Sequence, residues 1–284
     1  MSAHGDGWGT PEQGGTPSKE ASPSTDAETS NGEPRGGWLT ELRLAAGFLT
    51  ILPVLPRYDA APEAVEGSLG WFSLIGFAIG GILIFEHLGL SALFGTTLGA
   101  ALVVLTLTVL TGALHLDALG DTADALGAAS DRRRALDIMR DSRIGTFGTV
   151  AIVLFLGLEI IALARTSAFG AGRSAAALWL APGLARWAMA AVSWRIEYLR
   201  RGGAGATMLR GGGDRNIALA SAIAALAMIP VLSVHALVAL AVAIAIAATL
   251  RAVYRGWLGG VTGDLIGAAG ELVEVAVLLV MASR

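Results

Sequence analysis

From Leu69 to the C-terminus, long apolar runs alternate with short polar connections. Most of these runs show no polar face at helical spacing, unlike the helices that coat a water-soluble core. A helix needs about 20 apolar residues to cross a bilayer. That length predicts seven spans, at residues 69–88, 92–111, 147–164, 175–194, 217–232, 234–250 and 264–282. The apolar stretch 217–250 is too long for one span, and Pro230, Ser233 and His235 mark its middle, so it reads as a tight helical hairpin. The expected fold is all-α, a polytopic transmembrane helical bundle of about seven spans plus an interfacial or re-entrant N-terminal helix.

That N-terminal helix is expected over residues 38–56. Trp38, Leu42, Ala45, Leu49 and Leu52 fall on one stripe, but the uncharged part, Leu44 to Pro56, is only 13 residues long. Such a length suits a helix lying in or dipping into the interface, with an eighth span as the alternative. Residues 1–36 are Gly, Ser, Thr, Pro and acids, with little apolar besides Trp8. They cannot bury enough surface to offset the entropy of ordering. A disordered tail over 1–36 is therefore expected ahead of a transmembrane domain at 37–284, and the tail lacks the basic-then-apolar order of a signal peptide.

Composition agrees with the pattern. Hydrophobic residues make up 54% of the chain and charged residues 15%, against about 25% charged in a typical soluble domain. The absence of cysteine excludes disulfides and thiolate metal sites. Of the twenty basic residues only Lys19 is not Arg, and the arginines cluster in connections. Residues 112–146, 195–216 and 251–263 hold most of them, while the opposite connections hold Arg165 and Arg173 and the chain ends on Arg284. With seven spans the three Arg-rich loops share one face, which the positive-inside rule assigns to the cytoplasm. Gly76/Gly80 and Gly95/Gly99 have the GxxxG spacing that lets membrane helices approach closely. Trp71, Trp179, Trp187, Trp194 and Trp257 sit mostly near span ends and read as an aromatic belt.

The chemistry concentrates in residues 111–148, TGALHLDALGDTADALGAASDRRRALDIMRDSRIGTFG. Asp117, Asp121 and Asp124 are spaced i, i+4, i+7 and share one helix face. Carboxylates so close resist full ionisation, and a divalent cation relieves the repulsion. Mg²⁺ commonly uses a few carboxylates together with substrate phosphates. The bland alternative is a solvated acidic face, against which stand the membrane-proximal setting and the arginines that follow. Arg140, Asp141, Ser142 and Arg143 come next, and the two arginines could grip phosphate oxygens or serve only as topological charges. His115 would lie about 160° from Asp117 on a straight helix, so its site role requires the helix to start after it.

A second acidic group, Asp264, Glu271 and Glu274, falls close to one stripe of the last span. Asp264 is expected at the cytoplasmic mouth as a further metal ligand. Glu271 and Glu274 lie inside the apolar run and should face the bundle interior, with Arg186 as their expected partner. Gly256, Gly259, Gly260 and Gly263 would allow the backbone to turn sharply or approach a ligand. Glu159 is intramembrane and has no evident partner, and Glu86 and His87 sit at the outer end of their span.

At these residues the sequence resembles the cobalamin synthase family, the adenosylcobinamide-GDP ribazoletransferases. The segments FLTILPV (48–54), WFSLIGFAIGG (71–81), TGALHLDALGDTADAL (111–126), MRDSRIGTFG (139–148) and TGDLIGAAGELVEVAVLL (262–279) match in order. Two departures are Ala113 and Ala118, where the family more often has Gly, and methyl groups there could tighten the turn into the acidic helix. The resemblance implies a multi-pass enzyme of the bacterial cytoplasmic (inner) membrane with its active site facing the cytoplasm. It implies a Mg²⁺-assisted phosphoryl-group transfer that joins adenosylcobinamide-GDP to α-ribazole or its 5′-phosphate and releases GMP. Asp117, Asp121, Asp124 and Asp264 would then ligate Mg²⁺, and Arg140 and Arg143, with Asp141, Ser142 and Arg186, would bind substrate. Glu271 and Glu274 would support the site. The proton of the attacking hydroxyl would go to an aspartate or His115, or the metal alone would suffice. A wide vestibule is expected for the corrinoid. No nucleic-acid partner is expected, and a homo-oligomer is compatible with this reading. Two rivals are a CDP-alcohol-type phosphotransferase, whose DGxxAR start is absent here, and a transporter lined by the intramembrane acids.

Overall fold

The computed structural model describes residues 36–54, 60–200, 204–210 and 212–284, so nearly all of the expected tail, together with Arg201, lies outside the described residues. The regular elements are helices, apart from one isolated parallel bridge between Tyr198 and Val261. In chain order they are α1 (Trp38–Leu49), α2 (Pro62–Gly67), α3 (Phe72–Phe94), α4 (Thr96–Leu110), α5 (Leu114–Leu126) and α6 (Arg132–Ile138). There follow α7 (Thr146–Thr166), α8 (Ala171–Ser193), α9 (Ala204–Arg210), α10 (Asp214–Met228), α11 (Val234–Leu258) and α12 (Gly263–Met281).

Each expected span has its helix. Five segments, ending in α3, α7, α8, α10 and α11, are long and apolar enough to cross a membrane, and α4 with α5 would make a sixth if counted as one broken span. The break is a bend of 87°. We read α4 as the spanning part and α5 as lying across the end of the bundle, outside the spanning segments. Helix α12 has 19 residues, carries all three acids of the last run, and is buried along most of its length. It brings the helices standing where spans are expected to seven. By contrast α1 has 12 residues, or about 18 Å of rise, too short to cross the roughly 30 Å hydrocarbon layer.

Helix α8 is the central post, with 78% of its span buried against 22% for α7, α10 and α11. The first GxxxG pair works as expected. Side-chain methyls at Gly76 or Gly80 would run into the backbone carbonyls of Pro182 or Leu178, so α3 lies directly on α8. The second pair does something else. Gly95 is the left-handed turn between α3 and α4, with φ 79°, and Gly99 closes against the backbone of Ser91. On the other side of the core a Cβ at Gly267 would come within 2.6 Å of the Ala118 methyl, so α12 and α5 are in tight register.

The tryptophans also depart from expectation. Every indole N–H of the five donates inside the protein: Trp71 to Glu41, Trp179 to the Ala227 carbonyl, Trp187 to Ser221, Trp194 to Asp214 and Trp257 to the Ala129 carbonyl. They tie helices together as well as marking span ends. The two arginines of the opposite face are likewise occupied. Arg165 Nε donates to the Ala282 carbonyl (2.9 Å) and Arg173 Nη1 to the Met281 carbonyl (3.2 Å), capping the C-terminus of α12, where a cation is favoured.

The turn into α5 has a local cost. Gly112 and Ala113 are both left-handed, with φ 62° and 56°. For an L-residue this costs roughly 1–2 kcal/mol. The methyl of Ala113 thus strains the turn, which is why glycine suits the position. Ala113→Gly is expected to raise thermal stability in detergent by up to about 1 kcal/mol, after glycine's own unfolded-state entropy is subtracted. Ala113→Val is expected to lower it in the same melt.

Candidate active site

A pocket of about 210 Å³ opens where α5, α8, α9 and α12 meet. His115 and Asp117 border it from α5, Asp264 and Gly267 from α12, and Tyr198 and Arg200 from the segment after α8. The volume is below the roughly 300–1,000 Å³ of a drug-sized site. It accommodates a diphosphate-sized group and falls well short of the wide vestibule expected for a corrinoid.

Local backbone geometry assembles this pocket. Leu199 N–H donates to the Val261 carbonyl and Val261 N–H to the Glu197 carbonyl, both at 2.8 Å, so the strand-like segment after α8 is stitched to the residues just before α12. Gly259 takes the left-handed cap of α11 at φ 73°, and a side chain on Gly260 would strike the Glu197 carbonyl. Gly259 thus serves a sharp turn, and Gly260 allows close approach of backbone to backbone. The stitching brings Arg200 onto Asp264. One guanidinium nitrogen, Nη2, donates to Asp264 Oδ2 (2.6 Å) and to the Met139 carbonyl (2.7 Å).

The carboxylates divide into two groups. Asp117 and Asp264, from distant parts of the chain, face the same pocket, and Asp121 lies in their field. Burial first, then the charges of Asp117 and Asp264, push Asp121 up to about 7, against the pull of Arg200. Asp124 is held differently. Its Oδ2 accepts the Gly145 N–H (2.6 Å) and its Oδ1 the Gly148 N–H (2.9 Å), so the carboxylate caps the first turn of α7. A Cβ on Gly145 or Gly148 would come within 2.5 Å of an Asp124 oxygen, which explains both glycines of the RIGTFG segment.

No three His, Asp or Glu side chains among the described residues converge as a ready-made metal cage. Asp117, Asp121 and Asp264 nevertheless fit a hard divalent cation. All three supply oxygen, the charges of Asp117 and Asp264 raise Asp121, and Mg²⁺ takes one or two carboxylates and completes its shell with water and phosphate.

His115 occupies the inner wall. Helix α5 begins at Leu114, before it, yet the pocket wraps round this first turn and both His115 and Asp117 border it. Arg186, 1% exposed within α8, is paired with Glu274 of α12. Its Nη2 faces His115 Nδ1 at 3.4 Å. A guanidinium can only donate, so Nδ1 is the acceptor and the imidazole proton sits on Nε2. Burial and the Arg186 charge hold this histidine well below its usual value. His115 is thus a neutral ring whose Nε2–H has no protein partner among the described residues. Glu271 and Glu159 are buried near the same guanidinium and beside Glu274.

The expected phosphate clamp is not at the pocket. Arg140 is exposed and paired with Asp137 (3.4 Å), while Arg143 grips Asp141 (2.7 Å) in an exposed turn that also holds Ser142. That segment touches the site through the Met139 carbonyl. Arg200, the cation that does border the pocket, was missed because the sequence offers a whole loop of equivalent arginines. Breaking the Asp124 cap tests its role. Two hydrogen bonds to a charged acceptor are worth about 1.5–3 kcal/mol each. Asp124→Ala and Gly148→Ala are each expected to lower stability by at least about 2 kcal/mol in denaturant titrations in detergent, with Asp124→Asn milder.

Comparison with known proteins bears on the same residues. Residues 41–282 match the family described as cobalamin-5-phosphate synthase. The chain is 39% identical over 256 residues to an adenosylcobinamide-GDP ribazoletransferase of Roseiflexus sp. (strain RS-1), covering 88% of this chain and 92% of the relative. It is 36% identical over 237 residues to the enzyme of that name from Syntrophobacter fumaroxidans, covering 82% and 94%. A third, from Pseudomonas savastanoi pv. phaseolicola, is 39% identical over 246 residues, covering 84% and 97%. No solved structure matches. With its helices, its acidic segment and nearly its whole length matched, the chain belongs to the cobalamin-5-phosphate synthase family.

Proposed function

We propose that this integral membrane protein joins adenosylcobinamide-GDP to α-ribazole, or to its 5′-phosphate, and releases GMP, at a site facing the cytoplasm. One observation carries the mechanism: Asp117 and Asp264 meet across the pocket, with Asp121 in their field. The names of the relatives supply the substrates. The Arg-rich loops at the pocket end supply the orientation.

In this reaction a hydroxyl oxygen of the ribazole attacks the phosphorus attached to the cobinamide. A new P–O bond forms as the phosphoanhydride bond to GMP breaks, and GMP leaves with its electron pair. Catalysis of such a transfer is chiefly positioning and charge neutralisation. Asp117, Asp121 and Asp264 would hold Mg²⁺, which would supply positive charge to neutralise the diphosphate and the leaving GMP. Arg200 lies where it can bind a diphosphate oxygen while it keeps Asp264 in place. His115 stands in the inner wall of the pocket with its Nε2–H buried and without a protein partner among the described residues. Because Nδ1 is committed to Arg186, the hydroxyl proton goes to a pocket carboxylate and not to this ring. Behind it the Arg186–Glu274 pair keeps the histidine in one tautomer. The corrinoid remains outside the small pocket, on the aqueous side.

GMP release on mixing purified protein, both substrates and Mg²⁺ separates this enzyme from a carrier lined by the same acids. Asp117→Asn, Asp121→Asn and Asp264→Asn in reconstituted membranes are each expected to lower turnover on the order of 10²-fold or more, the loss usual for a group that stabilises transition-state charge. Unchanged turnover in Asp121→Asn or Asp264→Asn would remove the metal assignment.

A further inference from the structure

The helical hairpin of α10 and α11 is unusual in one respect. The two helices follow one another through a short turn at Ile229–Val231 and Ser233, yet they make almost no contact with each other. Each packs instead on α8. They splay from their shared turn, and the space between their far halves is a crevice of about 240 Å³, floored by α8. Trp187 and Ala191 form the floor, Ile217 one wall, and Ile244 and Ala247 the other, with Arg251 at the rim. The walls are apolar and small. On the α11 side Ala247 and Ala248 border the gap, so no large side chain closes it there.

The rim differs from the walls. Arg251 lies over the Trp194 ring at 5.2 Å and donates from Nη1 to the carbonyls of Ala191 and Trp194. Neither Arg251 nor Arg255 forms an ion pair with a carboxylate among the described residues. Nearby Arg195 is paired with Asp214, which also accepts from Trp194. Arg255 Nη2 donates only to the Arg195 carbonyl (2.8 Å). The rim thus holds three guanidinium groups and one carboxylate. An apolar slot that ends in uncompensated positive charge, at the same end of the bundle as the catalytic pocket, has the two-part character of a phospholipid.

We propose that this crevice binds an anionic phospholipid of the leaflet on the active-site side. One acyl chain lies between α10 and α11 against Trp187, and the headgroup phosphate sits on Arg251. The chain fills the volume that the splayed hairpin leaves open, and the phosphate supplies the counter-charge that the protein does not. Bound there, the lipid braces α8 at Trp187 and Ala191.

The test is native mass spectrometry of the full chain in detergent with equimolar phosphatidylglycerol and phosphatidylcholine. Retention of phosphatidylglycerol is expected to exceed that of phosphatidylcholine by roughly fivefold or more, the effect of a single basic residue at an anionic surface. Arg251→Gln is expected to bring the two lipids to near parity. Ala247→Phe, which fills the slot, is expected to lose both adducts. Retained GMP release in each variant checks that it is folded, since neither residue belongs to the catalytic pocket. Equal retention of the two lipids by the unaltered protein would overturn the proposal. So would unchanged retention in both variants, or a dimer that Ala247→Phe dissociates with no change in bound lipid.

Discussion

A guanidinium in the middle of a membrane bundle has to find a carboxylate, because neither lipid nor apolar side chains can solvate it. Arg186 finds Glu274, and that pair fixes α12 against α8 in one register. Much else follows from it. Asp264 lies ten residues before Glu274, about 15 Å along the same helix, and so emerges at the end of the bundle where α5 crosses. His115 takes the remaining face of the same guanidinium. The pocket between α5 and α12 is therefore referenced to a charge pair buried deep behind it, and Glu159 and Glu271 lie near that pair.

Close approach completes what the ion pair begins. The glycines of α3 bring it onto the carbonyls of α8, and Gly267 brings α12 onto Ala118 of α5. Dispersion and backbone proximity, not a hydrophobic driving force, hold helices together in lipid. The indole N–H groups add specific ties between elements where bulkier packing would be loose. Where such ties are missing, as between α10 and α11, the bundle opens.

The site itself is built at the mouth of this frame by short connections. The left-handed pair Gly112–Ala113 turns the chain by nearly a right angle and lays the acidic helix across the bundle end. The bridge from Tyr198 to Val261 carries Arg200 to Asp264. Asp124 holds α7 beneath the acidic helix, while Asp117 borders the pocket and Asp121 lies in the field of Asp117 and Asp264. Three aspartates with one spacing and one neighbourhood thus serve two purposes.

Much of this was legible in the residues. The spans, the hairpin break near Pro230, the partner of Glu274 and the position of Asp264 at the end of the bundle could all be read in advance. Hydrocarbon thickness and the cost of burying charge act on each run of residues in place, so they leave a local record. Other features had no such record. Nothing in the spacing of Asp117, Asp121 and Asp124 says which carboxylate will meet two backbone N–H groups of a later helix. Among many arginines, only the path of the chain selects Arg200 over Arg140 and Arg143. The same holds for Gly95 and Gly99, which share a motif with Gly76 and Gly80 but serve a turn. The bilayer wrote the list of elements and of costly charges into the sequence, whereas the pairing of those charges depended on distances between segments far apart in the chain, and such distances exist only once the helices have packed.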